Sequence, residues 1–188
     1  MDRNKIEQAV KSLLEAFGVD TNREGLIETP RRAAKYWMEL LEGELYTNDQ
    51  IAKMYDKCFE DVDTSDLVIE KDIEIFSHCE HHLALMYDMR VHIAYIPNGK
   101  VIGLSKMARI AEMVGKRLQL QERIGTDINY IMRKILGTED VAVIIEGKHG
   151  CMTARGAKSR TAVTRTACLH GRFETNTALR SEMYSLLK

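Results

Sequence analysis

The sequence predicts an α+β protein: N-terminal helices, then a strand-strand-helix-helix-strand-strand unit built on an antiparallel sheet. Three observations predict it. Apolar residues recur at helical spacing in the first third of the chain, and from Leu67 that period gives way to strict alternation. The second half then carries two helical stretches flanked by strand-like runs, the order expected of an α+β fold.

The elements follow in order. Ile6, Ala9, Val10, Leu13, Leu14 and Phe17 form one helical stripe that stops at Gly18. In ETPRRAAKYWMELLEG, Thr29 is the expected N-cap, Pro30 occupies the favoured first helical position, and Gly43 can close the helix. Residues 48–58 add a shorter helix. Ile69, Ile73 and Ile75 alternate with Glu70, Asp72 and Glu74, which argues a strand with one wet face. Residues 88–96 repeat the pattern, and Pro97-Asn98-Gly99 makes a turn. Ser105 is the expected cap of a helix bearing Ile110, Ala111, Val114 and Leu118, and Ile124, Ile128, Ile131 and Ile135 mark another that ends at Gly137. Val141 to Glu146 and Thr161 to Phe173 read as strands; Leu179, Met183, Leu186 and Leu187 suggest a closing helix. The chain thus divides into an N-terminal helical region over 1–66 and a region over 67–188 that forms one structural unit. A small open sheet has two unpaired edges, and pairing between copies is the expected way to cover them.

Composition narrows the function. With 188 residues, 45% of them hydrophobic, the chain can bury a full core. Its 27 basic and 28 acidic side chains leave a net charge of -1, so no overall field draws it to nucleic acid or an anionic membrane, and any anion site must be local. The charged start MDRNKIEQAV and the lack of any run of roughly 20 apolar residues make the expectation a cytoplasmic protein with no membrane contact. Four cysteines in such a chain are read as reduced, either core thiols or metal ligands.

SHCEHHLALM concentrates the chemistry. Cys79 and His82 stand at the local spacing of many zinc sites, without a second such pair nearby. Cys151, in KHGCMTARG beyond the strand around Val143, can be carried beside them by a neighbouring antiparallel strand. Cys79, His82 and Cys151 would make a Cys2His set with one position left for water, and zinc lowers the pKa of such a water to about 7. His81 and His149 adjoin these ligands and suit proton transfer, since imidazole titrates near neutrality. Cys58 and Cys168 are read as small buried hydrophobes.

Candidate anion contacts are dispersed. GLSKMAR puts Ser105 and Lys106 at a helix start, where backbone N–H groups favour phosphate, with Arg109 about one turn on. TARGAKSR places Arg155 four residues after Cys151, while Arg32 and Lys35 lie in the second helix. Glu122 in LQLQERI opens a helix, and its carboxylate could accept the paired N–H donors of a guanine edge.

Taken together, ETPRRAAK, FSHCEHHL, IPNGKVIGLSKMARI, LQLQERI and KHGCMTARG, in this order, resemble the GTP cyclohydrolase I family from about Ile6 to Leu187. The resemblance implies the tunnelling fold (T-fold), with 67–188 as its catalytic region. It also implies subunit sheets joined into multimeric β-barrels, two pentamers stacked as a decamer, and sites between subunits. It implies one Zn2+ per subunit on Cys79, His82 and Cys151, and Glu122 gripping the guanine N1 and N2 edge with Gln121 nearby. Ser105, Lys106, Arg109, Arg155, Arg32 and Lys35 become triphosphate and ribose contacts; His81, His149 and Ser105 become the groups that move protons. The implied reaction is hydrolysis and rearrangement of GTP to 7,8-dihydroneopterin triphosphate, with zinc-activated water adding at guanine C8 and formate released, the first step of tetrahydrofolate and pterin biosynthesis. The chain departs from the family pattern at Leu85 and Asp88, where proline and glycine are usual, and at Arg165, Cys168 and His170. Two alternatives stay open: a non-catalytic GTP-binding assembly, motivated by those departures, and a related T-fold enzyme acting on a pterin or deazapurine.

Overall fold

The computed structural model describes residues 1–60 and 65–188; the stretch 61–64, inside the N-terminal region drawn from the sequence, lies outside the described residues. Helix α1 (Arg3–Ala16) begins at Asp2, whose side chain accepts from the Lys5 amide, and packs on α2 (Thr29–Leu40). A 3-10 turn over Glu42–Leu45 leads to α3 (Asn48–Met54), which opens with a full capping box between Thr47 and Gln50.

The main sheet has the order β5-β2-β3-β6-β7. Its long strands are β2 (Val68–Cys79), β3 (Leu85–Tyr95), β6 (Val141–His149) and β7 (Thr164–Leu169), which pair antiparallel with one another. Two helices cover one face: α4 (Leu104–Gly115) lies over β2 and α5 (Gln121–Leu136) over β6 and β7. Their isoleucine stripes meet Ile73, Ile75, Val91, Ile93, Val143 and Ile145 in one continuous core. Glycine at position 137, with φ 65°, lets α5 stop in a left-handed cap. On the opposite face Ala94 and Ala142 pack with Phe173 of α7 (Arg172–Thr175) and Met183 of α8 (Thr177–Leu186). The α+β class, the N-terminal helices and the ββααββ order agree with the sequence reading.

Four local expectations are corrected, and one further sheet is found. Thr29 is the first residue of α2 rather than its cap: Glu28 precedes the helix with helical dihedrals, and the Thr29 hydroxyl turns back to the Gly25 carbonyl. Ser105 lies inside α4, because Gly103 takes the extended cap position. The last strand is only Thr164–Leu169; Gly171, at φ 61°, turns the chain into α7 before Phe173. The sheet is not wholly antiparallel, since β5 (Leu118–Gln119) runs parallel to the end of β2. A second, two-stranded sheet pairs β1 (Cys58–Glu60) with β4 (Lys100–Ile102); three-residue strands give no readable alternation.

Arg117 fastens the N-terminal region to this frame. Its guanidinium donates to the Gly43 and Tyr46 carbonyls, to Asn48 Oδ1 at 2.7 Å and to Asp127 Oδ2 at 3.1 Å. The side chains of Arg117 and Asp127 are only 11% and 17% exposed, so each depends on the other for charge compensation. Gly43 admits no side chain here, because a Cβ would stand 2.1 Å from the Met113 carbonyl oxygen. Arg117→Ala is expected to lower the unfolding free energy by about 3 kcal/mol, since it strands a largely buried carboxylate; urea unfolding checks the value.

Candidate metal centre and purine pocket

Cys79 is the last residue of β2, and His82 lies in the loop that returns the chain to β3. That loop is tight: the Leu83 amide donates to the Cys79 carbonyl, the Cys79 amide donates to the Ala84 carbonyl, and Leu83 is left-handed at φ 52°. Across the sheet, Met86 of β3 stands opposite His149 of β6, so the short helix α6 (Gly150–Thr153) starts beside the loop. Glycine is required at 150, where a Cβ would come within 2.9 Å of the Leu85 carbonyl oxygen. The result is convergence. One ligand atom each from Cys79, His82 and Cys151 lie within 4.8 Å of one another, with Cys79 buried, Cys151 half-buried and His82 exposed.

Burial, and next to it the Cys79 thiol, push the Cys151 thiol above the ordinary cysteine range. Two adjacent sulfurs cannot both ionise cheaply without a cation between them. Two thiols and an imidazole in this compass fit a four-coordinate cation, whose ligand atoms stand about 3.5–4 Å apart at the usual bond lengths. The donor set and its spacing therefore suit a metal ion.

His149 is the next layer. Gln121, buried at the start of α5, donates its amide to the Ile145 and Thr164 carbonyls and to Thr166 Oγ1, which leaves Oε1 as the atom 2.9 Å from His149 Nε2. The proton of the neutral ring therefore sits on Nε2, and Nδ1 keeps a free lone pair. Burial lowers the His149 pKa, partly opposed by the negative charge of Glu122. Glu122 itself is exposed and lines a cavity of about 270 Å3 with Gly125, Thr126, Thr166, Ala167 and Cys168. His81 is exposed, its ring centroid 6.3 Å from that of His82. Arg155 is exposed and close enough to pull the Cys151 pKa down slightly against the larger upward causes.

Other candidate residues stand apart in the chain. Ser105, Lys106 and Arg109 lie in the first turns of α4, whose start adjoins Lys57 and Phe59 and whose end meets Phe76. Ten residues separate Ser105 from Gly115, about 15 Å of helix, so the α4 start points away from the metal end of the sheet. Arg32 is engaged by Glu28, with an N to O distance of 2.6 Å, and Lys35 lies exposed on the same helix. That helix approaches the centre through Trp37 and Tyr36, whose rings are 5.0 and 6.5 Å from that of His78.

Two features escape sequence reading. Glu80, between the ligand residues, forms a two-pronged ion pair with Arg123 at 2.6 and 3.2 Å, tying the metal loop to the start of α5. No local pattern links residues 43 apart, although both flank residues already singled out. The second is Asp88. It adopts φ 49° at a bulge in β3 and pairs with Lys148 at 2.9 Å, so it supplies the left-handed backbone that glycine would.

Comparison with known sequences gives the family. The family model described as GTP cyclohydrolase I matches residues 6–188. The chain belongs to the GTP cyclohydrolase I family. A Clostridium botulinum (strain Loch Maree / Type A3) protein named GTP cyclohydrolase 1 is 55% identical over 191 residues, covering 99% of this chain and 97% of that one. Proteins of the same name from Ruminiclostridium cellulolyticum and Clostridium acetobutylicum are 55% and 53% identical, covering 100% of this chain and 99% and 98% of theirs. Among the described residues no helix is long and apolar enough to cross a membrane.

Glu80→Gln removes one arm of the brace on the metal loop. It is expected to weaken divalent-cation binding about tenfold, within the range for supporting contacts around metal ligands, while leaving the urea midpoint unchanged because the pair is exposed. Chelator competition measures the first and equilibrium unfolding the second.

Proposed function

We propose that the chain converts GTP to 7,8-dihydroneopterin triphosphate with release of formate, the entry reaction of tetrahydrofolate and pterin synthesis. The observation that carries this reading is the convergence of Cys79, His82 and Cys151 beside His149 and Glu122 in a member of this family. Cys79, His82 and Cys151 hold zinc, the cation their mixed sulfur and nitrogen donors suit best. When bound, zinc supplies a water acidic enough to serve as a nucleophile at neutral pH.

The chain's own residues do the rest. Glu122 accepts the N1 and N2 hydrogens of guanine and fixes the ring in the cavity beside β7. Gln121 holds the Nε2 proton of His149 in place, so Nδ1 is the atom that takes up a proton and returns it to guanine N7 as the imidazole ring opens. His81, exposed on the loop, serves the later proton transfers at the ribose, with Ser105. Arg155 lies on the metal side of the site and meets the phosphate or ribose oxygens, and Arg32 and Lys35 add positive charge from α2.

Ser105, Lys106 and Arg109 bind the triphosphate from a second copy. Their distance from the metal within one chain, and the two open sheet edges, support a homo-oligomer with sites between subunits, a decamer of two pentameric barrels. The segment over 67–188 is the catalytic region and 1–66 its helical support.

Purified, zinc-loaded protein incubated with GTP is expected to release formate and to give a fluorescent pterin after oxidation. Cys151→Ser should lose bound zinc and formate release together, whereas Glu122→Gln should keep zinc and lose about 100-fold or more in kcat/KM, as expected when a paired hydrogen-bond acceptor for the substrate is removed. Loaded, assembled protein that yields neither formate nor pterin overturns the reading.

A further inference from the structure

A cavity of about 350 Å3 lies beside the loop that carries Cys79 and His82. It is bounded by the 3-10 turn over Glu42–Leu45, strand β5 and the first turns of α5, and Glu44, Asn48, Arg117, Gln119, Arg123 and Asp127 supply most of its polar wall. Most of these groups are spent on one another. Arg117 pairs with Asp127 and Arg123 pairs with Glu80, so those charges cancel. Both Asp127 oxygens are engaged: Oδ1 accepts from Asn48 Nδ2, and Oδ2 accepts from Arg117 and from Gln119 Nε2. Two acceptors are left over. Glu44 takes the Leu118 amide on one carboxylate oxygen and has no ion-pair partner among the described residues. Gln119 lines the cavity while only 1% exposed, yet its Oε1 has no hydrogen-bond partner among the described residues. The orientation of that amide is fixed, because the Asp127 carboxylate accepts and must therefore face the nitrogen.

We propose that this cavity binds a potassium-sized monovalent cation, K+ or NH4+, through the Glu44 carboxylate and Gln119 Oε1, and that its occupancy steadies the loop bearing Cys79 and His82. The leftover groups decide the class of ligand. Both are acceptors, so an anion has nothing to meet, and a buried carbonyl oxygen is costly to leave without a partner. A water molecule satisfies Gln119 Oε1 but leaves the Glu44 charge unbalanced. With the two ion pairs cancelling, that charge is the only one left on the wall, and a single positive charge offsets it. A divalent ion is favoured by several carboxylate ligands, and Asp127 has no oxygen to give. Amide carbonyl oxygens instead suit a weakly hydrated monovalent ion, whose water they replace. The volume lets such an ion keep several waters, at about 30 Å3 each.

Two contacts carry the effect of the cation to the candidate metal centre. Gln119 stands opposite Cys79 where β5 pairs with β2, and its backbone carbonyl accepts from the Glu80 amide at 3.2 Å. Arg123 holds the Glu80 carboxylate. Two residues that border the cation therefore grip Glu80, which lies between Cys79 and His82. A positive charge that anchors Gln119 and repels Arg123 toward Glu80 tightens both contacts. This coupling rests on the metal reading above. The cation site itself does not, since none of Cys79, His82 and Cys151 lines the cavity.

The test follows thermal unfolding of the full chain in KCl, NH4Cl and tetramethylammonium chloride at equal ionic strength. The third cation is bulky and has no N–H donor. KCl and NH4Cl are each expected to raise the midpoint in a saturable way, as a ligand of the folded state does, and tetramethylammonium chloride is not. A response to NH4Cl alone identifies N–H donation as what the site reads; equal responses to all three salts overturn the site. Glu44→Gln keeps an acceptor for the Leu118 amide and is expected to move the K+ titration to roughly tenfold higher concentration, since it removes one full charge at an exposed position. An unmoved titration overturns the site as well. Crystals grown in rubidium chloride should show an anomalous peak between Glu44 and Gln119, and a peak elsewhere or none counts against it. Zinc release to a chelator reads the coupling: it should be slower in KCl than in tetramethylammonium chloride, and Glu44→Gln should abolish the difference. Equal rates overturn the coupling and leave the site standing, whereas unsubstituted protein that holds no zinc overturns the metal reading and the coupling together. Cys151→Ser is expected to lose zinc and keep the K+ titration, so failure of the metal reading and failure of the cation site are seen separately.

Discussion

The site exists because β3 and β6 pair in one register. With Met86 opposite His149, the loop carrying Cys79 and His82 and the turn carrying Cys151 arrive at the same end of the sheet. Strand side chains alternate with a period of two, so a one-residue slip would send every residue of β6 to the wrong face and part the two sulfurs. The core guards against that slip: Val143 and Ile145 are fully buried under α5, and their neighbours on the other face are not equivalent to them. Hydrophobic burial thus fixes the register that brings the three candidate ligand atoms together.

Around that register the supporting contacts form a chain of causes. Gln121 is spent entirely on the protein, holding two strands with its amide and His149 with its carbonyl oxygen. Its neighbour Glu122 is exposed, with no protein donor engaging its carboxylate among the described residues. Arg123, the third residue of the same motif, returns to the metal loop through Glu80. One helical turn therefore sets His149, the Glu122 carboxylate and the loop bearing His82 relative to one another. Asp88 keeps this frame undistorted by occupying a backbone conformation that most side chains avoid.

Much of this was legible in the sequence because the signals were local. The helices α4 and α5 and the long strands follow from periodicity, and the cluster of Cys79, His82 and Cys151 from Cys79-x-x-His82 together with His149-x-Cys151. What escaped depended on distant partners or on competition between weak preferences. Ser105 is a good cap by residue type, yet Gly103 reaches the extended conformation first and takes the position. The strand forecast to Phe173 stops at Leu169 because Gly171 turns the chain, a backbone event that a run of apolar and β-branched residues conceals. Strands β1 and β4 are stabilised by their pairing and not by their own pattern, and the Glu80–Arg123 link has no local signature at all.

The knot at Arg117 has a consequence for how the chain is made. Gly43, Tyr46 and Asn48 leave the ribosome some seventy residues before the guanidinium that receives them. Helices α1 and α2 can form early, since their contacts are mutual, but nothing they dock on yet exists. The first quarter of the polypeptide therefore cannot complete its docking until Arg117 and Asp127 have been synthesised.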